Sequence, residues 1–198
     1  MTSVSQKSEP IDLFQDWLAL ADKKEVNDAN AMTIATATPG GVPSARMVLL
    51  KDADPSGFVF YTNLGSQKAQ ELISNPVASL LFHWKSLRRQ VRVVGTVERV
   101  SDAEADAYFA SRPKDSRIGA WASKQSQLLQ GMFELEGRVA QFAAKYAIGD
   151  VPRPEFWSGF RVVPARIEFW QDRPFRLHER VVYVKNKDQN WEKERLYP

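Results

Sequence analysis

Cysteine is entirely absent from this chain of 198 residues, and only two histidines are present, His83 and His178. The absence of cysteine excludes a disulfide framework, a thiolate metal site and a cysteine nucleophile. The two histidines lie far apart and lack the short spacing of zinc-binding motifs. We therefore expect no bound metal ion, and we expect His83 to be packed within a strand.

Long hydrophobic runs and a large excess of one charge are also missing. The richest apolar stretch, Val77–Phe82, falls far short of the ~18 residues that cross a bilayer. The polar segment Met1–Pro10 has no apolar core of a secretory signal. The 27 basic residues are dispersed among 24 acidic ones, and the formal net charge of +3 does not favour nucleic-acid binding. We expect a cytoplasmic protein without nucleic-acid or membrane partners.

Nucleotide-binding and hydrolase motifs are absent as well. The sequence contains no G-x-G-x-x-G fingerprint and no P-loop pattern, and none of its serines lies in a G-x-S-x-G elbow. Strand and helix patterns do not alternate regularly either. A Rossmann fold and a serine hydrolase are therefore not favoured.

Short strands separated by tight turns dominate the pattern that is present. Strands are predicted over Met32–Thr38, Val42–Lys51, Phe58–Thr62, Val77–Trp84, Arg89–Val100, Val162–Gln171 and Arg176–Val184, with a turn over Asp52–Gly57. Helices are predicted over Ile11–Asp22, over Gly65–Ser74, from a capping box at Ser101 to just before Pro113, and over about Ser123–Tyr146. This pattern favours a closed or nearly closed antiparallel β-barrel, in the mostly-β part of the α+β class, with a small helical subdomain.

One barrel domain with an N-terminal extension is expected. Residues 1–30 are predicted to form an arm and a short helix. Residues 31–198 are predicted to form a single domain, with helices inserted at about 101–147. The length of the chain fits this organisation.

Phosphate recognition without a P-loop needs basic side chains and hydroxyl groups from several elements. Arg46 and Lys51 are predicted to point to opposite faces of one strand, an arrangement that is also common at ordinary strand edges. Ser66 and Lys68 lie where a strand passes into a helix, and helix N-termini bind anions readily. An ordinary capped helix with Lys68 in solvent explains this second segment equally well.

Two later segments carry further basic residues. Tyr108 and Arg112 are four residues apart and share one helix face, so they could grip one phosphate; a solvated helix end with a half-buried tyrosine explains them too. Arg176, His178 and Arg180 are predicted to alternate onto one face of a strand. Because three such groups repel one another, this face favours an anionic or aromatic ligand.

The order and spacing of these segments resemble one known family. The sequence contains R-M-V-L-L-K, F-Y-T-N-L-G-S-Q-K-A-Q-E, R-R-Q-V-R-V-V-G, Y-F-A-S-R-P-K-D-S-R-I-G-A-W-A-S-K-Q-S, F-W-S-G-F-R-V, I-E-F-W-Q, R-L-H-E-R and the terminal R-L-Y-P. From Ala31 to Pro198 this pattern is similar to that of the pyridoxamine 5′-phosphate oxidases. The resemblance implies a homodimeric split β-barrel that binds FMN at the subunit interface.

The resemblance also implies roles for particular residues. FMN contacts are expected from Arg46, Met47, Val48, Leu49, Tyr61, Thr62, Lys68, Gln90, Gln125, Ser126, Trp170 and Arg180, together with Ser66 at the helix start. The substrate phosphate is expected at Lys51, Tyr108, Arg112 and Ser116. Arg176 and His178 are expected over the pyridine ring, as the catalytic residues that orient and polarise the substrate. The implied reaction is the FMN-dependent oxidation of pyridoxamine and pyridoxine 5′-phosphates to pyridoxal 5′-phosphate, with O₂ as acceptor and H₂O₂ as by-product.

Two departures and two alternatives accompany this resemblance. Gln67 stands where the family commonly has an arginine that contacts the flavin phosphate, and Met1–Pro10 contains neither the arginine nor the tyrosine of a substrate lid. A related flavin oxidase of the phenazine-biosynthesis type shares several motifs, and the phosphate-binding position Lys51 favours a phosphorylated substrate against it. A non-catalytic flavin- or pyridoxal-phosphate-binding protein of the same fold is the other alternative.

Overall fold

The structure, a computed structural model, describes residues 7–198, so the first six residues of the predicted N-terminal arm lie outside the described part of the chain. Within that part, nine strands form one antiparallel sheet: β1 Ala31–Ala37, β2 Pro43–Leu49, β3 Asp52–Asp54, β4 Gly57–Asn63, β5 Val77–Trp84, β6 Arg89–Arg99, β7 Trp157–Gln171, β8 Glu179–Lys185 and β9 Trp191–Leu196. The helices are α1 Pro10–Lys24, α2 Gln67–Ser74, α3 Asp102–Ser111, α4 Lys114–Ala122 and α5 Glu134–Lys145.

The sheet is organised around β7, its longest strand. The strand order is β2-β1-β5-β6-β7-β4-β3, while β8 pairs with β7 and β9. One edge of β7 pairs with β6, and its other edge pairs with β4 over 157–162 and with β8 over 166–171. Because two different strands share that edge, the strongly curled sheet divides there. Pro164 lies between the two paired stretches, where its missing N–H interrupts neither of them.

The main core is formed by the inward faces of the strands and by α1. Phe14 of α1 contacts Phe58 and Phe82 edge-on, with ring centroids 4.9 Å apart in both pairs. Trp17 meets Phe169 at 5.2 Å in the same manner. All five rings are buried, so α1 shares one core with the barrel strands.

The inserted helices have a smaller core of their own. Phe109 and Ile118 pack there with Val151 and Trp157. The capping box predicted at Ser101 is present at the start of α3. This second core sits beside the barrel and holds the helices against one end of β4 and β7.

The prediction of one helix over Ser123–Tyr146 is wrong. Helix α4 ends at Ala122, and α5 begins only at Glu134. Between them the backbone of Ser126 is left-handed, with a φ of 70°, a conformation that a right-handed helix cannot contain. The intervening segment is therefore irregular and can turn back towards the barrel.

Three expectations about strands also differ from the structure. Asp52–Asp54 was predicted as part of a turn but forms β3, and β9 was not predicted. His83 lies in β5 as expected, yet its side chain is exposed. The alternation of β5 gives the buried positions to Phe82 and Trp84, so the expected packing of His83 is wrong.

Candidate active site

A large cavity with a volume of about 1090 Å³ opens between the barrel and the inserted helices. Its walls come from β2, the end of β4, the start of α2, the end of α3 and α4. The predicted site residues in its lining are Arg46, Met47, Val48, Leu49, Lys51, Tyr61, Thr62, Lys68, Tyr108, Arg112, Ser116, Gln125 and Ser126. The fold therefore brings most of the expected site together in one space.

Arg46 and Lys51 both line this cavity, but Lys51 lies beyond the end of β2, so the prediction that the two residues lie on opposite faces of one strand is wrong. Strand β2 ends at Leu49. The next residue, Leu50, donates its backbone N–H to Asn30, whereas Lys51 donates its own to Val59 of β4 at 2.8 Å. This change of hydrogen-bond partner interrupts the alternation of strand faces.

Lys68 and Arg46 form one cationic corner of the cavity. Lys68 is only 7% exposed, and its Nζ lies 3.2 Å from the Thr62 hydroxyl and 3.3 Å from the Ser66 hydroxyl. Ser66 is the predicted N-cap residue of α2, but its hydroxyl makes no capping hydrogen bond. Burial lowers the pKa of the Lys68 ammonium below its ordinary value, and nearby Arg46 lowers it further. A buried ammonium with neutral partners favours an anionic ligand.

Glu71 of α2 fixes the arginine of this corner. Its carboxylate lies 3.6 Å from Nη2 of Arg46 and accepts hydrogen bonds from the hydroxyls of Thr36 and Ser44. It also accepts a bond of 2.9 Å from the amide of Gln67. The hydrogen bonds from Ser44 and Thr36 lower the pKa of Glu71 to about 2, against the opposing effect of burial. Gln67 is thus held by Glu71.

Lys51 and Arg112 form a second cationic corner around stacked aromatic rings. The Lys51 ammonium lies 5.8 Å from the centre of the Tyr108 ring, and the Arg112 guanidinium lies 4.9 Å from that of Trp157. Tyr108 stacks on Tyr61, with centroids 4.1 Å apart. Among the described residues, the buried Nη1 of Arg112 has no hydrogen-bond partner. Burial also lowers the pKa of this guanidinium. A ligand anion at this corner would give Nη1 a hydrogen-bond partner and would favour the charged form of the guanidinium.

The irregular segment after α4 completes the cavity wall. The Thr62 hydroxyl donates to Oε1 of Gln125 at 3.3 Å, and the Asn63 amide donates to the carbonyl of Ser123 at 3.2 Å. These bonds tie the segment to the end of β4, and the left-handed turn at Ser126 follows directly.

Three further predicted residues, Gln90, Trp170 and Arg180, line a different cavity of about 270 Å³. They are neighbours across three adjacent strands, because Trp170 of β7 pairs in register with Gln90 on one side and Arg180 on the other. The two cavities share no lining residue. A single chain therefore does not place these three residues beside the Arg46 and Lys68 corner.

Glu168 organises the charges around this second cavity. The side chain of Glu168 is 7% exposed. Its carboxylate accepts hydrogen bonds of 2.9 and 2.7 Å from Arg180 and one of 3.1 Å from Arg166, and it also forms an ion pair with Arg92. Burial alone would raise the pKa of Glu168, but the Arg180 hydrogen bonds and the Arg92 charge hold it below its ordinary value. Three guanidinium groups around one carboxylate leave an excess of positive charge at this cavity.

Arg176 and His178 line neither cavity, and the prediction that they alternate with Arg180 on one strand face is wrong. Strand β8 begins only at Glu179, and a 3₁₀ turn precedes it. Phe175 and Arg176 both have left-handed backbone, with φ of 58° and 60°. Such residues cannot continue an extended strand.

The two predicted catalytic side chains nevertheless lie in one short segment next to the second cavity. Arg176 is exposed, while His178 is partly buried. The ring of His178 lies 4.8 Å from that of Trp170, which lines the second cavity. The segment is thus positioned beside the Gln90, Trp170 and Arg180 set rather than within the large cavity.

Neither Glu71 nor Glu168 was predicted from the sequence as a site residue. A signal for Glu71 exists, since it follows Gln67 and Lys68 by four and three residues and therefore shares their helix face. Glu168 and Arg166 share one strand face, which is a weaker signal. The pairing of Glu168 with Arg92 and Arg180 depends on strand register and could not be read from spacing.

Other kinds of site find little support in the described residues. Between residues 7 and 198, no group of three or more histidine, aspartate or glutamate side chains could hold a metal ion. Over the same range, no helix is long and apolar enough to cross a membrane.

Known protein families match nearly the whole chain. A family described as pyridoxamine 5′-phosphate oxidase matches residues 21–146, and one described as pyridoxine 5′-phosphate oxidase C-terminal dimerisation region matches residues 157–198. The pyridoxine/pyridoxamine 5′-phosphate oxidase of Brucella canis is 62% identical over 195 residues, which cover 98% of this chain and 96% of that protein. The protein of the same name from Brucella suis biovar 1 is also 62% identical, covering 98% and 94%.

Solved structures agree on the architecture. PhzG from Burkholderia lata 383, in complex with tetrahydrophenazine-1-carboxylic acid, is 31% identical with a TM-score of 0.93, covering 98% of this chain and 95% of that one. A pyridoxamine 5′-phosphate oxidase-related, FMN-binding protein from Nostoc punctiforme has a TM-score of 0.79 over 96% and 98% of the two chains, and at 16% identity it shows the fold alone. The predicted split-barrel fold is confirmed. The chain belongs to the pyridoxamine 5′-phosphate oxidase family of enzymes.

Proposed function

We propose that the protein is an FMN-dependent oxidase that converts pyridoxamine 5′-phosphate and pyridoxine 5′-phosphate to pyridoxal 5′-phosphate, using O₂ and releasing H₂O₂. The observation that carries the proposal is that one cavity has two separate cationic corners. FMN and either substrate each carry one phosphate dianion. Two phosphates that lie in one site need two such corners, and the presence of two corners supports the proposal.

The corner formed by Arg46 and Lys68 suits the FMN phosphate. The Thr62 and Ser66 hydroxyls already contact the ammonium of Lys68, and that of Ser66 can also donate to a phosphate oxygen. A dianion here would offset the mutual repulsion of the two cations and the cost of burying them. The residues present therefore fit the cofactor phosphate, although Gln67 supplies no third charge.

The corner formed by Lys51 and Arg112 suits the substrate phosphate. The unpaired Nη1 of Arg112 would find its partner there, and the hydroxyls of Tyr108 and Ser116 line the same cavity. Charge-assisted bonds from lysine and arginine are the strongest that a protein offers to phosphate. An unphosphorylated vitamer would leave this buried charge without a partner.

A second copy of the chain completes the proposed site. The residues expected to contact FMN fall into two sets that share no cavity in one chain, so one flavin could touch both sets only at an interface. Exposed apolar side chains at the two cavities, Met47, Leu49 and Leu81, offer surface for such an interface. The match of 157–198 to a dimerisation region supports the same arrangement.

Bound FMN would supply the two-electron redox chemistry and the reaction with O₂. The side chains of this protein bind both phosphates and hold the reacting carbon in place. Arg176 and His178 would orient and polarise the substrate over its pyridine ring.

A phenazine-type oxidase is the second candidate, because PhzG of Burkholderia lata has a TM-score of 0.93 to this chain. The ligand in that structure is a carboxylic acid. A phosphate-binding set of Lys51, Tyr108, Arg112 and Ser116 favours the phosphorylated vitamer instead. A non-catalytic carrier is disfavoured by 62% identity to proteins named as oxidases.

Spectroscopy and turnover of the purified protein test the proposal. We expect a yellow protein whose released flavin is FMN, and production of aldehyde and H₂O₂ under air when either phosphorylated substrate is added. Pyridoxine without phosphate should be a poor substrate. No flavin even after reconstitution, or no product from either phosphorylated substrate, would contradict the proposal.

Two lysine variants test the assignment of the corners. Lys68→Met should weaken FMN binding to the apoprotein, whereas Lys51→Met should keep FMN and raise KM. Each loss should be about tenfold to a hundredfold, since a charge-assisted hydrogen bond contributes about 1.5–3 kcal/mol. Lys187→Met, at an exposed turn, is the matched control. If Lys51→Met loses FMN and Lys68→Met retains it, the two corners have been assigned to the wrong ligands.

A further inference from the structure

Asp172 and His178 face each other across the turn that joins β7 to β8. Oδ1 of Asp172 lies 2.9 Å from Nδ1 of His178, and Asp172 is largely buried, with 14% of its side chain exposed. Asp172 follows the I-E-F-W-Q motif and belongs to none of the motifs that carry the family resemblance. A carboxylate in contact with a histidine nitrogen commonly sets the orientation and tautomer of the ring.

The carboxylate of Asp172 is itself fixed by the neighbouring turn between β5 and β6. Its other oxygen pairs with the guanidinium of Arg88. Its backbone N–H donates to the carbonyl of Arg88 at 3.0 Å. The backbone bond fixes the position of Asp172 beside Arg88, and the ion pair opposes rotation of the carboxylate away from His178.

The ring of His178 is confined on a second side. Trp170 lies 4.8 Å from it, centre to centre, at an angle of 42°. Trp170 is also a residue for which contact with FMN is proposed. The contacts of Asp172 and Trp170 together define both the position and the rotation of the imidazole.

Two groups compete for Nδ1 of His178, and only one can be satisfied. The backbone N–H of Arg173 points to Nδ1 at 3.3 Å, which requires an unprotonated nitrogen. The oxygen of Asp172 at 2.9 Å requires a protonated one. An unprotonated Nδ1 would place its lone pair against a buried anion, whereas a protonated one forms the shorter, charge-assisted bond. The second arrangement is therefore the more stable.

We propose that Asp172 is a positioning residue that holds His178 as the Nδ1–H tautomer. Nε2 is then the unprotonated nitrogen, and it can accept a hydrogen bond from the C4′ hydroxyl or amine of the substrate. The role in turnover rests on the proposed function, because that function places the substrate at His178. The tautomer is a property of the chain itself and can be measured independently.

Nuclear magnetic resonance of the ¹⁵N-labelled holoenzyme tests the tautomer. The protein has only two histidines, so long-range ¹H–¹⁵N spectra contain two imidazole patterns, and His83→Gln identifies that of His178. At pH 8.5, above the ordinary range of imidazole titration, we expect the proton of His178 on Nδ1. A proton on Nε2 with none on Nδ1 in the unmodified protein overturns the proposal, and this measurement needs no variant to fold.

Asp172→Asn should move the His178 pattern towards the Nε2–H tautomer and leave His83 unchanged. Glu179→Gln is the matched control, since Glu179 pairs with Arg173 in the same segment at 2.8 Å. The control should leave both histidine patterns as they are. An unchanged His178 pattern in Asp172→Asn would also overturn the proposal.

Kinetics separate this proposal from the proposed function. In Asp172→Asn with full FMN content, kcat should fall about tenfold or more, because the ring of His178 is left in the wrong tautomer, while KM changes much less. A variant that keeps the unmodified kcat contradicts the positioning role. If the unmodified enzyme oxidises neither phosphorylated substrate, the proposed function fails, and the tautomer result still stands or falls on its own measurement.

Discussion

The carboxylate of Glu71 offers the sharpest test of how the first cationic corner is held together. Glu71 is 6% exposed and has a pKa of about 2, against an ordinary value of 4.5, because Ser44 and Thr36 donate hydrogen bonds to it. A difference of this size corresponds to about 3 kcal/mol of folding stability. Solvent in the adjoining cavity screens part of it, so we expect about 2–3 kcal/mol. Glu71→Gln should lose this amount at neutral pH.

The pH dependence of the loss has a definite sign. The pKa of Glu71 is lower in the folded chain than in the unfolded one, so its contribution is fully present above about pH 4.5. The contribution is lost as the pH falls through the folded pKa of about 2. The difference in unfolding free energy between the unmodified protein and Glu71→Gln should therefore shrink from pH 5 towards pH 2.

Urea unfolding of the flavin-free proteins at a series of pH values measures this difference. The exposed Glu155 supplies a matched control, and Glu155→Gln should change the unfolding free energy by less than about 0.5 kcal/mol. If Glu71→Gln behaves like this control at pH 7, the hydrogen bonds to Glu71 do not stabilise the fold. If Glu71→Gln loses the same unfolding free energy at pH 3 as at pH 7, the loss is not caused by the charge of Glu71.

Two further predictions concern the barrel and the corner formed by Arg46 and Lys68. Gly95→Ala should destabilise the protein by about 3 kcal/mol or more in urea unfolding, because the added Cβ would lie 2.0 Å from the carbonyl oxygen of Val163. In Gly137→Ala, within α5, the added Cβ meets nothing within 4 Å, so this control should stabilise the protein slightly. Equal effects of the two substitutions would refute the steric argument. Gln67→Arg should tighten FMN binding to the apoprotein at least severalfold by adding a positive charge beside Glu71. Unchanged FMN affinity would mean that Glu71 neutralises the new charge.

The barrel strands could be predicted from the sequence because their side chains alternate clearly. Strand β5 matches its predicted bounds, and β6 differs by one residue, since apolar residues recur at every second position in both. The short β3 and the terminal β9 could not be predicted in this way. Both carry mostly polar side chains and depend on pairing with a neighbouring strand.

The candidate site was predictable wherever its residues belong to regular elements, and not where the backbone departs from them. Periodicity assumes that each residue continues the conformation of the one before it. That assumption fails at Ser126 and at Arg176, where left-handed backbone redirects the chain. The motifs around both residues still identified the side chains, because composition does not depend on conformation. The motifs could not predict which other groups those side chains contact.

The contact between Asp172 and His178 shows why side-chain contacts of this kind cannot be predicted from the spacing of residues in the sequence. The two residues are six apart, a separation that favours no shared face once a turn intervenes. Their contact requires the left-handed residues Phe175 and Arg176 to reverse the chain, and it requires Arg88, from another hairpin, to hold the carboxylate. None of these conditions is visible in the sequence as a periodic pattern. The side chains proposed to bind phosphate can therefore be recognised from motifs, whereas Asp172, proposed to position His178, had to be found in the folded chain.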